Sequence, residues 1–189
     1  MPGTRASEGI HYHKVPCHTD SHMRRIIFGL LLVATWLAAD SGAGIRWTRP
    51  PGWKAEAERP MRLATYTLAP GGECAVYFFG AGQGGSVEAN LDRWIGQFLQ
   101  ADGKPSKSAA KIAKQTIHSW PVTTVDVSGA YTGMGGPMAK SDSPAMPGFR
   151  MLAAIVEGPQ GSVFFKFTGP SKTVAANQAA FDQMLASLQ

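Results

Sequence analysis

Several groups of residues in this chain have the types and spacing of reactive or ligating sites. Gly80-x-Gly82-x-x-Gly85 has the glycine pattern of a loop that wraps a dinucleotide pyrophosphate, and it leads into a helical pattern. Such a loop works when glycine lets backbone N–H groups at a helix N-terminus approach the phosphates. It also needs an acid about 20 residues further on, at the end of the next parallel strand, to hold the ribose. Asp102 has roughly that separation but falls at the end of the helical pattern, with no buried strand before it. The glycines therefore predict a tight turn into a helix, and no cofactor is expected.

His118, Asp126 and Ser128 supply the residue types of a hydrolytic triad. Strand alternation, however, sets Asp126 and Ser128 side by side on one face, and no Gly-x-Ser-x-Gly elbow is present. No catalytic residue is assigned. His11, His13, Cys17, His18 and His22 resemble metal ligands by type but lie in a stretch without the apolar periodicity that would build a frame around a metal. Met134, Met138 and Met146 could offer thioethers to Cu(I); methionine is also common filler, and no metal is assigned. On the helix after the glycines, Asn90, Arg93 and Gln97 recur three and four residues apart as a polar stripe, with Ser86 placed to cap the N-terminus. This stripe either orients a ligand or partner or fixes the helix to neighbouring loops, the second reading being preferred. Asn90, Arg93, Gln97 and Ser86 are the candidate binding residues.

The elements that must position these groups follow from the rest of the chain. Met23-Arg24-Arg25 precedes an uncharged apolar run, Ile26 to Ala39, too short for a membrane span and suited to an export signal with small residues at its exit. Residues 1–22 thus read as a mis-assigned or disordered leader, 23–43 as a signal peptide, and 44–189 as one domain, secreted or periplasmic, with no membrane span in its mature form. Cys74 is then the only cysteine, in an apolar strand that favours an inert buried thiol. From Gly44 onward 14 basic side chains meet 10 acidic ones, a net charge of +4. Lys104, Lys107, Lys111 and Lys114 form a basic edge with little aromatic interleaving, which disfavours nucleic acid and suits a guarded edge strand.

Trp47 and Trp53 in the Pro-broken opening of the domain are expected to cap the core. Met61 to Leu68 and Cys74 to Phe79 read as a hairpin across Pro70-Gly71-Gly72. An amphipathic helix is predicted over 87–100 from Val87, Leu91, Trp94, Ile95, Phe98 and Leu99. Lys111 to His118 and Val122 to Tyr131 read as strands around Ser119-Trp120-Pro121, and residues 133–148 as a long mobile loop. Arg150 to Glu157 and Ser162 to Thr168 form a second hairpin, and an amphipathic helix closes the chain. Short turns make consecutive strands antiparallel, so the expectation is an α+β sandwich of about six strands covered by two helices.

Gly82-x-Gly84-Gly85, Asn90, Arg93-Trp94 and Gln97-Phe98, with Val125-Asp126-Val127-Ser128-Gly129-x-Tyr131 and the closing "FFKFTGP" and "MLASL", resemble a group of uncharacterised exported bacterial proteins. The element order resembles the PsbP-like fold, named for an extrinsic photosystem II protein. That resemblance, over Trp47 to Leu188, implies a non-enzymatic module that binds or assembles with a protein or small ligand. The alternative is a cell-envelope hydrolase or a copper-handling protein.

Overall fold

A computed structural model of the chain describes residues 39–133 and 144–189. The leader, most of the export signal, Met134 and Met138 lie outside the described residues. β1 (Ala39–Gly42) and β2 (Ile45–Thr48) form a two-stranded ribbon. The ribbon takes in residues that the sequence reading places at the end of the signal, and Tyr66 Oη donates to Asp40 Oδ2 at 2.7 Å.

The remaining strands make one antiparallel sheet. They are β3 (Lys54–Ala55), β4 (Arg62–Leu68), β5 (Gly72–Phe78), β6 (Phe98–Leu99), β7 (Lys111–Ile117), β8 (Trp120–Tyr131), β9 (Met146–Gly158) and β10 (Gly161–Pro170). The order is β3-β4-β5-β10-β9-β8-β6, and β7 also pairs with β8. The 12-residue β8 is long enough to pair its first half with β7 and its end with β6. The two predicted hairpins, β4–β5 and β9–β10, are present in antiparallel register.

The strand count exceeds the expected six because short pairings carry no periodic signal: β1, β2, β3 and β6 have four residues or fewer. The expected loop over 133–148 is also too long at its C-terminal side. Met146 is already in β9, opposite Tyr131. The turn between β7 and β8 is displaced too, since Ile117 pairs with Trp120 and the two-residue connection is His118-Ser119, with His118 at φ 53°.

Helix α1 (Val87–Ile95) is shorter than the predicted 87–100. Gly96 ends it, and Phe98 and Leu99 leave the helix to pair with Tyr131 and Ala130 on the sheet edge. The C-terminal helix is two pieces, α2 (Ser171–Ala176) and α3 (Gln178–Ala186), broken at Asn177.

Alternation along the strands splits the core between the two faces of the sheet. On one face Val122, Leu152, Ala154, Val156, Val163, Phe165, Phe167, Cys74 and Val76 pack against α2, α3 and the two opening tryptophans. Trp47 and Trp53 are buried there as expected, and Trp47 Nε1 donates to Tyr66 Oη at 2.8 Å. On the other face Val125, Val127, Met151, Ala153, Ile155 and Phe164 pack under Leu91, Trp94 and Ile95 of α1 and under Phe98. Each such large apolar side chain contributes about 1.5–3 kcal/mol when fully buried.

Candidate functional site

Helix α1 has nine residues and so extends only about 14 Å. It packs over residues of β8, β9 and the start of β10, and among the described residues no helix covers the β4–β5 side of that face. Two hollows open on that side, of about 210 Å³ and 200 Å³, and both are lined by Tyr77 and Lys166. Phe79, Trp94 and Phe164 give the first hollow apolar walls, with Arg93 and Gln97 beside them. Tyr131, Phe149, Arg62, Glu73 and Thr168 surround the second. The rings of Tyr77 and Phe79 stack at 5.9 Å, and those of Tyr131 and Phe149 also at 5.9 Å.

Lys166 is the central group. Its side chain rises from β10 on the α1 face, between Phe164 and Thr168, and the residue is 7% exposed. Nζ donates to Gln97 Oε1 at 2.6 Å and stands 5.6 Å from the centre of the Tyr131 ring. An ammonium has three donors, and buried charges are normally paired. Among the described residues no carboxylate lies within ion-pair distance of Lys166. Glu73 is bound instead by Arg62 at 3.0 Å and approached by Arg59 at 3.9 Å. Burial and then the Arg93 charge lower the Lys166 pKa to about 8, against a smaller opposing pull from Glu73. Two residues along the same face, the buried Thr168 Oγ1 also has no hydrogen-bond partner among the described residues.

The predicted polar stripe divides by position. Asn90 is buried, and its amide donates to the carbonyls of Gly84 at 2.7 Å and Ser86 at 2.8 Å, while its Oδ1 accepts from Arg93. It fixes the glycine turn to the helix. Gly84 there has φ 94°, and a Cβ would meet the Phe164 ring at 2.9 Å, so the turn needs glycine for both conformation and space. Ser86 Oγ accepts from Ala89 N–H at 3.1 Å and serves as the cap, at the far end of α1 from Gln97. Gln97 is buried and is locked at both ends, its side chain on Lys166 and its carbonyl accepting from Thr132 N–H at 2.9 Å. Arg93 and Gln97 therefore meet at the first hollow, whereas Asn90 and Ser86 hold the helix start.

Lys166 and Thr168 were not singled out from the sequence. A signal exists in "SVFFKFTGP": alternation places Val163, Phe165 and Phe167 on one face and Phe164, Lys166 and Thr168 on the other, making Lys166 the one charge in an interior strand.

The hydrolytic grouping is not assembled. His118 and Asp126 border one groove of about 550 Å³ between β7, β8 and α3. Asp126 pairs with Lys111 in register, seven residues along β7 from His118, which separates the two by about 23 Å. Both Asp126 oxygens are also taken by Arg150, at 2.8 Å each. The acid of the would-be triad is thus already paired, and the groove does not bring it to His118. Met146 lies in β9 and is 42% exposed. Among the described residues no cluster of three or more His, Cys, Asp or Glu could hold a metal, and no helix is long and apolar enough to cross a membrane.

No protein-family model matches the chain, and no curated protein matches it in sequence. Among solved structures it is similar to cyanobacterial PsbP (CyanoP) from Synechocystis, with a TM-score of 0.50 and 9% identity over 80% of this chain and 89% of that one. The fold is PsbP-like. A Pseudomonas aeruginosa protein described as a putative regulator is similar at a TM-score of 0.42 and 9% identity, over 80% of this chain and 94% of the other.

Proposed function

We propose that this PsbP-like domain is an exported, non-enzymatic binding module, secreted or periplasmic, and that it holds a small ligand on the half of the sheet that α1 leaves open. One observation carries the reading: a buried lysine without a counter-ion among the described residues stands between two aromatic-walled hollows. Leaving such a charge unpaired is costly, and a ligand anion would satisfy it. Arg93 and Gln97, two of the residues of the α1 stripe, border the same place, while Asn90 and Ser86 set the helix that carries them. The Arg-Arg flanked apolar run supports export. Support for a non-enzymatic role comes from the fold and from the separation of His118 from Asp126.

The test is gentle purification of the exported protein followed by native mass spectrometry. The expected result is an added small mass in the wild type that is lost in Lys166→Met. Retention of that mass by Lys166→Met, together with its loss on substituting Leu185 in the α3 groove, would move the site elsewhere and contradict the reading.

A further inference from the structure

We infer that the ligand of the open half-face is a small aromatic monocarboxylate, its ring in the first hollow and its carboxylate where Lys166 and Thr168 face the second. This rests on the proposed binding role of that face and adds the chemical class. The argument begins with size. A protein cavity of about 150 Å³ accommodates benzene, so a hollow of about 210 Å³ takes one six-membered ring with a short substituent. The walls favour a flat apolar body, because Trp94 and Phe164 meet edge to face and Phe79 tilts against Phe164.

Charge then selects the substituent. Lys166 has donors beyond the one given to Gln97, and the Thr168 hydroxyl is unpartnered in the adjoining hollow. Arg93, at the first hollow, adds a second positive charge without a carboxylate partner among the described residues. A single carboxylate satisfies one buried ammonium and one hydroxyl. A phosphate dianion would bring a second charge that, among the described residues, only the exposed Arg93 is free to meet, since Arg62 is engaged by Glu73, and a neutral ligand would leave the lysine without a counter-ion. Glu73 repels an anion in the second hollow, but its charge is engaged by Arg62 and Arg59.

Calorimetric titration of the purified protein with phenylacetate and with phenylacetamide separates charge from shape. Phenylacetate is expected to bind at least tenfold more tightly, from the roughly 1.5–3 kcal/mol of a charged hydrogen bond. Lys166→Met is expected to weaken phenylacetate by at least about tenfold while leaving phenylacetamide within about twofold. Should Lys166→Met fail to fold, Thr168→Val serves as the second variant, with phenylacetate weakened about threefold or more and an unchanged melting curve. Equal binding of acid and amide would overturn the carboxylate assignment and leave the binding face standing. Binding of neither compound would likewise overturn the assignment. The binding face itself falls only if the exported protein also carries no molecule lost in Lys166→Met.

Discussion

Replacing Lys166 by Met keeps the aliphatic stem and removes the charge, so it isolates the cost of burying that charge. With a folded pKa of about 8 against an ordinary 10.5, the unfolded chain binds the extra proton between these values. Stability attributable to this site therefore rises with pH through that window and is flat below it. Lowering the pKa to about 8 corresponds to roughly 3 kcal/mol in total, most of it recovered between pH 7 and pH 10. Arg93 and Arg62 push the pKa down and Glu73 pulls it up, whereas Tyr77 and Tyr131 are themselves raised by burial. Cys74 is also raised by burial, and its unfolded-state ionisation removes stability above about pH 9, as do the tyrosines at higher pH. Raw profiles mix these effects, but the difference between wild type and Lys166→Met cancels those common to both. Urea unfolding at pH 7, 8, 9 and 10 should show the wild type gaining on the order of 1 kcal/mol on the variant between pH 7 and pH 9 and roughly 2 to 3 kcal/mol by pH 10. Parallel curves for the two proteins would refute the unpaired buried charge.

Other substitutions test the supporting structure. Asn90→Ala leaves the Gly84 carbonyl without its donor, while the Ser86 carbonyl keeps the backbone N–H of residue 90, and should cost about 1–3 kcal/mol in chemical denaturation; Arg93→Ala removes from an exposed position only the donor to Asn90 Oδ1 and should cost less, about 1 kcal/mol or under. Gly84→Ala strains a positive φ and drives Cβ into the Phe164 ring, so a loss of about 1–3 kcal/mol is expected in the same assay. The Cys74 thiol is fully buried and pushed up in pKa, so iodoacetamide should label it only after denaturant unfolds the chain, as mass spectrometry would show.

Much of the sheet was legible from local patterns. The β4–β5 and β9–β10 hairpins follow from apolar runs around Pro-Gly and Gly-containing turns, and β8 follows from its alternation. Long-range pairing was not legible. Phe98 and Leu99 continue the apolar spacing of α1, and only the edge offered by Tyr131 and Ala130 draws them into β6. Similarly, residues 39–42 belong to β1 because β2 is there to receive them. Asn90, Arg93 and Gln97 could be recognised as a stripe from helical spacing. That Gln97 meets Lys166, 69 residues later, depends on how α1 crosses β10. The cleft was missed because its aromatic walls and its charge come from separate elements, β5, β8, β9, β10 and α1.

The location of the binding face is tested most directly by backbone and side-chain NMR of the labelled domain during titration with phenylacetate. Shifts concentrated at Tyr77, Phe79, Trp94, Lys166 and Thr168, and needing at least about tenfold more phenylacetate in Lys166→Met, are the predicted result. Shifts gathered instead along β7 and α3, around Ile117, Phe181 and Leu185, would contradict it.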